Sequence, residues 1–401
     1  MSGIIIIGAG QAAGQAAASL RQEGYEGSIT IFGEENQAPY QRPPLSKTYL
    51  SGELGMDRVL LRPEKFYSDK AISLHTGTRI EAVDPVGKTV TTADGETHAY
   101  HKLLIATGSR PRILNIQGSN LNGIHYLRTI DDVDGIRASM ESAEKVCIVG
   151  GGYIGLEVAA VANKIGLDVT VLEMEERILK RVSTPEMSDF YHELHTSRGV
   201  DIRTETIVSG FEGETNVTSV ICGDEKIPAQ LVIVGIGIVP NIELAEAAGL
   251  ECDNGILVDN HCRTSDPDIY AAGDCTNHPN PLIGRRLRLE SVPNAMEQAR
   301  VASTNMLGGD KVYAAIPWFW SDQYELKLQM VGFSADGDSS VVRGEKSTNE
   351  FAVFYMKEGK VVAVDAVNSP REFMVCKQLY GKPVNSEDLA NPEFELKSLL
   401  T

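Results

Sequence analysis

The feature that most constrains this chain is a strand–glycine–helix–strand unit that occurs twice. In the copy from Lys145 to Arg177, the apolar residues Val146–Val149 leave no solvated face and read as a fully buried strand. Gly150, Gly152 and Gly155 follow in G-x-G-x-x-G spacing. A helix-compatible run from Leu156 to Lys164 comes next, then a strand from Asp168 to Leu172 that ends on Glu173. In such a unit the first glycine permits a tight turn and the second lets backbone approach a pyrophosphate. The third lets helix and strand pack closely, and the helix N-terminus faces the phosphates. A bare G-x-G-x-x-G is weak evidence, and a glycine-rich turn with no ligand is the alternative. The flanking strand, helix and acid favour a dinucleotide site. Glu173 stands where an acid binds a ribose 2′-hydroxyl and repels a 2′-phosphate, which points to NADH rather than NADPH.

The first copy occupies residues 3–32. Ile4–Ile7 is a buried strand, followed by Gly8-x-Gly10-x-x-Ala13-Gly14, a small-residue helix from Gln11 to Arg21 and a strand from Ser28 to Phe32, with Glu34 just beyond. Ala13 replaces the third glycine, a variant that the pattern tolerates. Both copies keep a terminal acid suited to a ribose, so two dinucleotides are expected rather than one dinucleotide and a relic.

A chain of 401 residues is long for one core and suggests two or three domains. Its net charge of −18 argues against nucleic acid as a partner, because binding phosphates needs Lys and Arg to displace counterions. No apolar run approaches the roughly 20 residues that span a bilayer. The opening residues carry no basic leader, so a cytoplasmic protein with no membrane partner is expected. Six scattered cysteines form no CxxC pair, and neither a metal site nor a reactive thiol is expected; Cys147 reads as a buried, inert thiol.

Between the two copies, Gln37–Ser51 reads as an irregular loop in which Pro43-Pro44 forbids a helix and two cations, Arg42 and Lys47, flank the prolines. The residue pattern alone makes these ordinary surface charges. Strands are expected at 78–83, 88–92 and 101–106, the last closing on Thr107-Gly108. Further strands are expected at 200–204, 217–222 and 231–238, and helices at 241–248 and 295–307. From Pro317 the pattern alternates, implying antiparallel sheet followed by a helix at 370–380; the polar tail from Asn385 is expected to dock loosely.

Two dinucleotide folds with ATGSRP (Ala106–Pro111), VGIGIVPN (Val234–Asn241) and YAAGDC (Tyr270–Cys275) resemble the two-dinucleotide-domain flavoprotein reductases, the glutathione reductase superfamily. PYQRPPLSK (Pro39–Lys47), YLRT (Tyr126–Thr129), ESVPNA (Glu290–Ala295) and PWFWSDQY (Pro317–Tyr324) narrow the resemblance to the NADH-dependent ferredoxin reductases of the putidaredoxin reductase type. The resemblance implies an α/β architecture of two Rossmann-like domains plus a C-terminal α+β domain with antiparallel sheet. FAD would occupy residues 1–110 with 235–316, NADH residues 111–234, and the third domain residues 317–401. It places Gly8, Gly10, Ala12 and Ala13 against the FAD pyrophosphate and Glu34 on the adenosine ribose. Arg42 would lie near the phosphates, with Lys47 beside the flavin's reactive nitrogen. Ile80, Ala106, Thr107, Gly108 and Arg128 would complete that pocket. Asp274 would bind the ribityl hydroxyls, Val292 would lie at the pyrimidine end and Trp320 at the ring edge facing the acceptor. For NADH it implies Gly150, Gly152, Tyr153, Ile154, Gly155, Glu157, Glu173, Gly237 and Glu290. Lys47, Glu157 and Trp320 would be the catalytic set.

The chemistry agrees with that resemblance. NADH gives up two electrons as hydride while an iron–sulfur protein takes one at a time, so a flavin is the needed intermediary. Lys47 would stabilise negative charge on the reduced ring. Glu157, expected in the first turn of the second helix, would pair with Lys47 or hold the nicotinamide carboxamide. The plainer alternative is that it complements the helix N-terminus, worth about 0.3–1 kcal/mol. Disulfide chemistry through the first loop is excluded by inventory, because Gln37–Ser51 contains no cysteine. The expected acceptor is a two-iron ferredoxin feeding a monooxygenase or dioxygenase. A rubredoxin, or a redox-sensing role resembling apoptosis-inducing factor, is the alternative. Arg285, Arg286 and Arg288 form the densest basic cluster and the candidate docking patch for an acidic ferredoxin. A monomer is expected.

Overall fold

The computed structural model describes residues 3–400, which divide into two compact units. The first comprises residues up to Arg42, Gly55–Arg110 and Ile238–Pro317. Its parallel sheet runs in the spatial order Ile72–His75, Ile29–Phe32, Gly3–Ile7, Thr97–Ile105, and Ile269–Ala271 also pairs with Thr97–Ile105. The antiparallel hairpin Ile80–Asp84 and Thr89–Thr92 continues from the same long strand.

The unbroken run Ile4–Ile7 follows from this placement. Ile4 and Ile6 join a core with the alanine-rich face of the helix Gln11–Gln22 and the helix Val292–Met306. Ile5 and Ile7 point the other way, into a core with Phe32, Leu103 and Leu250. Both faces are covered, so alternation has nothing to select. Small residues bring the two helices close enough for the Ser303 hydroxyl to donate to Ala16 O at 3.2 Å.

The second unit comprises Pro43–Leu54, Pro111–Gly237 and the stretch from Trp318. Its parallel sheet has the order Asp201–Arg203, Asp168–Leu172, Lys145–Val149, Leu231–Val234, Ile124–Tyr126. A three-stranded antiparallel sheet, residues 210–228, accompanies it. The helix Ile130–Met140 starts with a reciprocal capping box between Thr129 and Asp132. From Trp318 the chain forms a five-stranded antiparallel sheet in the order 318–323, 326–332, 360–367, 350–357, 339–345, followed by the helix Pro370–Leu379.

Four local expectations need correction. The run expected as one strand, 231–238, breaks after Val234 and resumes at Ile238 in the first unit, because Gly235–Gly237 turn the backbone, with Gly237 at φ +103°. Pro43–Ser46 form a turn of 3₁₀ helix, since a proline at the start of a turn loses no hydrogen bond. The second dinucleotide helix begins at Tyr153, not Leu156, which puts Glu157 beyond its first turn. The tail is anchored rather than loose. The buried Arg343 guanidinium donates to the carbonyls of Leu389, Asn391, Pro392 and Phe394, satisfying a stretch with little backbone ladder of its own.

Candidate dinucleotide sites and a buried ion pair

In each unit, the first strand of the dinucleotide motif ends on a glycine with left-handed backbone, Gly8 at φ +103° and Gly150 at φ +111°. A Cβ on Gly8 would lie 2.2 Å from Ala106 O, and one on Gly150 would lie 2.4 Å from Gly235 O. The second glycines behave oppositely. A Cβ on Gly10 or Gly152 would meet nothing within 4 Å. Both are helix N-caps with no side-chain cap, so no cap side chain occupies the first N–H groups of either helix. Open backbone donors at a helix N-terminus fit a phosphate, and a glycine there leaves room for it. Gly155 serves packing instead, as its Cβ would be 2.1 Å from Gly150 O. Ala12 and Ala13 are buried along the first helix.

The remaining candidates of the first unit cluster on its loops. The Thr107–Gly108 turn is clamped by Asn241, which accepts from Thr107 Oγ1 at 2.7 Å through its carbonyl and donates Nδ2 to Thr107 O at 2.9 Å. Ser109 Oγ donates to Asp274 Oδ2 at 2.9 Å. Arg42 is paired with Glu35 at 2.6 Å and donates to Tyr40 Oη at 2.8 Å. Burial opposes its charge, but Tyr40 and Glu35 outweigh that and raise its pKa. Glu34 is exposed and 3.2 Å from Arg79. Ile80 and Ala106 are buried, and Val292 opens the helix capped by Ser291. Glu290 is ion-paired with Arg288.

Lys47, Arg128 and Trp320 belong to the second unit. The Arg128 backbone N–H donates to Asp132 Oδ2 at 3.0 Å, and Trp320 stacks obliquely on Trp318 with ring centroids 5.6 Å apart. In the same unit Glu173 accepts from Gly151 N at 2.8 Å and Glu175 N at 2.9 Å, which fixes its carboxylate at the end of its strand. Ile154 is exposed. The Tyr153 hydroxyl is buried against Met330 Sδ at 2.9 Å, and that burial raises its pKa well above the ordinary value. Gly237 O accepts from Arg112 N at 2.9 Å.

Lys47 and Glu157 meet in this unit. Glu157 is 1% exposed, and its Oε2 accepts from Lys47 Nζ at 2.6 Å and Ser46 Oγ at 2.5 Å, while Oε1 accepts from Ser321 Oγ at 2.6 Å. Of the roles open to Glu157, pairing with Lys47 is the one formed, and a solvated surface lysine is ruled out. A buried carboxylate is tolerable only with such a complement of donors. The two serines were missed by sequence reasoning. Ser46 precedes Lys47 and Ser321 follows Trp320, so both lie inside quoted motifs, but nothing in a serine advertises which carboxylate it will meet.

In the basic cluster, Arg285 and Arg286 are exposed. Arg286 donates to Val258 O at 2.9 Å and to Asn277 O at 2.5 Å, so it ties loops together, while Arg288 is held by Asn254 and Glu290. Cys275 Sγ lies 3.5 Å from Ala272 O, and burial raises its pKa and that of Cys147, leaving both as unreactive thiols. Among the described residues no His/Cys/Asp/Glu cluster could hold a metal and no helix is long and apolar enough to cross a membrane.

Comparison with known proteins accords with this geometry. Residues 2–299 match the pyridine nucleotide-disulphide oxidoreductase family and residues 318–400 match the reductase C-terminal family. The chain is 44% identical over 403 residues to a ferredoxin–NAD(P)+ reductase of Sphingomonas sp., covering 99% of this chain and 97% of that protein. Its fold matches the crystal structure of the ferredoxin reductase for the CYP199A2 system of Rhodopseudomonas palustris with a TM-score of 0.97 at 39% identity, covering all of both chains. It also matches putidaredoxin reductase in its covalent complex with putidaredoxin, with a TM-score of 0.96 at 43% identity over 100% of this chain and 98% of the other. The twin glycine cradles, the antiparallel C-terminal sheet and these full-length likenesses together mean that the chain belongs to the pyridine nucleotide-disulphide oxidoreductase family, among its ferredoxin reductases.

Proposed function

We infer that this protein is an FAD-dependent oxidoreductase that takes hydride from NADH and passes single electrons to a two-iron ferredoxin, which in turn feeds a monooxygenase or dioxygenase. The observation that carries the reading is the full-length likeness, at 43% identity, to a reductase captured in complex with its putidaredoxin. FAD, when bound, supplies the exchange between a two-electron donor and a one-electron acceptor.

The chain's own residues bind, orient and balance charge. Gly8, Gly10, Ala12 and Ala13 give the FAD pyrophosphate its room, Glu34 takes the ribose, and Arg42, braced by Glu35, faces the phosphates. Asp274 takes the ribityl chain and Trp320 stands toward the acceptor. In the second unit Gly150, Gly152 and Gly155 shape the cradle for NADH, and the fixed Glu173 carboxylate discriminates against a 2′-phosphate. Lys47 supplies positive charge for the flavin ring, and Glu157 holds the Lys47 ammonium in place. A cytoplasmic location and a monomeric state accompany this reading.

The test is an anaerobic NADH titration of the purified yellow protein, followed by cytochrome c reduction with and without an added two-iron ferredoxin. Flavin bleaching by NADH with ferredoxin-dependent cytochrome reduction is expected. Reoxidation by rubredoxin but no ferredoxin would move the acceptor. A reduced flavin that neither protein reoxidises would point to a redox switch instead.

A further inference from the structure

The acceptor-only carboxylate of Glu157 dictates the direction of every hydrogen bond in a buried chain leading away from it. A carboxylate paired with an ammonium has no proton to give, so Ser321 must point its hydroxyl hydrogen at Glu157 Oε1, 2.6 Å away. The Ser321 oxygen then needs a donor, which fixes the amide of Gln323 with Nε2 toward it at 3.2 Å. That leaves Gln323 Oε1 facing His195 Nε2 at 2.8 Å, an acceptor that requires His195 to carry its proton on Nε2. His195 Nδ1 is consequently an acceptor, and the Tyr324 hydroxyl lies 3.4 Å both from it and from Asn163 Oδ1, so the two acceptors share one hydroxyl proton. Ser321, Gln323 and His195 are all 0% exposed, so bulk water does not reach these links.

Two independent features support the chain as a built device. Tyr324 sits in the two-residue turn between the strands Trp318–Gln323 and Leu326–Gly332 with φ +56°, a left-handed backbone that a bulky residue seldom adopts. Its ring is held there by His195, with centroids 5.1 Å apart, and by the Arg198 guanidinium 4.1 Å above it. Burial, together with Arg198 and His192 and against the hydrogen bond to Gln323, lowers the His195 pKa to about 4, so the ring is neutral where the chain needs it neutral.

We propose that Ser321, Gln323 and His195, closed by Tyr324, are positioning residues that orient the Glu157 carboxylate and through it the Lys47 ammonium. The proposal rests on the oxidoreductase reading for its consequence in turnover, but not for its geometry. Ser321, Gln323 and His195 each donate toward Glu157, so the chain adds to the donor set that stabilises the buried anion and holds Oε2 for Lys47. Removing a link frees the carboxylate to turn and loosens Lys47 without touching either residue.

The experiment uses the holoenzyme with Ser321→Ala, Ser321→Thr and Gln323→Leu. Nitrogen NMR of labelled histidine should show His195 as the neutral Nε2–H tautomer throughout pH 5–8, with that preference lost in Gln323→Leu. Reductive methylation of lysines, read by mass spectrometry without NADH or ferredoxin, should find Lys47 protected in the wild type and in Ser321→Thr. In Ser321→Ala and Gln323→Leu its labelling should be about tenfold faster, the factor that corresponds to loss of one buried hydrogen bond. Stopped-flow flavin reduction should slow by a similar factor in those two variants, with the NADH dissociation constant unchanged. An Nδ1–H tautomer in the wild type, unchanged Lys47 labelling, or a Ser321→Thr enzyme as impaired as Ser321→Ala would overturn the proposal. The tautomer and labelling measurements can fail while NADH-to-ferredoxin turnover stands, so the two readings are separable.

Discussion

The Lys47–Glu157 pair is costly to break from one side only. Lys47→Met leaves a buried carboxylate with its serines, and Glu157→Gln leaves a mostly buried ammonium; each should lose about 3–5 kcal/mol of stability. The double substitution should cost less than either alone, because neither charge is then stranded. Urea unfolding of the four proteins checks this as a double-mutant cycle, and simple additivity would contradict it. All three variants should reduce flavin slowly with NADH. Asp365 presents the opposite situation. It is fully buried, accepts from Tyr355 Oη at 2.9 Å, and burial lifts its pKa to about 7 despite that bond and one from Ser183. The folded state therefore binds this proton more tightly than the unfolded chain does. Its contribution is complete below pH 3.8 and is lost as pH rises through about 7. Asp365→Asn should gain urea midpoint relative to the wild type at pH 8 and gain less than half as much at pH 5. Equal gains at both pH values would show that Asp365 is not the titrating group.

At the scale of elements, the two glycine positions of the second motif make separable predictions. Gly152→Ala meets no protein atom, so melting of the apoprotein should shift only by the N-cap penalty of about 1 kcal/mol while the NADH dissociation constant rises about tenfold or more. Gly155→Ala drives a methyl into Gly150 O and should destabilise the fold itself. If Gly152→Ala bound NADH normally, the open space beside it would not be the pyrophosphate site. Arg343→Met should release residues 385–400 to rapid hydrogen exchange while the antiparallel sheet stays protected. These elements also mark what a sequence can convey. Ile4–Ile7 and Val146–Val149 were legible because burial on both faces demands an uninterrupted apolar run. Gly8 and Gly150 were legible because their left-handed backbone favours glycine, and Gly155 because a Cβ there would meet Gly150 O. The break at Gly235–Gly237 was only half legible, since glycines there suit a tight turn, a bulge or a close approach to ligand alike. The anchoring of the tail was hidden too, because it depends on backbone carbonyls, which every residue has, gathered by an arginine some fifty positions earlier. Lys47 reads as surface charge from its own neighbours, and only the family resemblance offered Glu157, 110 residues away, as a partner.

At the scale of the whole molecule, burial makes His125, His195 and His278 resist protonation. Burial lowers both His195 and His278 to about 4, and His278 has neither ring nitrogen hydrogen-bonded. Here the unfolded chain takes up protons below pH 6.5 that the folded one refuses until about 4. Stability therefore falls as pH drops through that window, by about 3 kcal/mol per histidine. Asp365 works in the other direction over an overlapping range, so variants reveal more than the wild-type curve. His278→Phe should flatten the decline between pH 6.5 and 4, and an unchanged slope in urea midpoints would count against the assignment. A last consequence concerns chimeras. The chain leaves and re-enters each unit repeatedly, and the short stretch Pro43–Leu54 sits with the second unit although its neighbours on both sides belong to the first. Anyone grafting a relative's second unit onto this protein by exchanging 111–237 and 318–401 would leave Ser46 and Lys47 facing a foreign carboxylate. The small insert must travel with the graft, or the hybrid will inherit an ion pair assembled from two lineages.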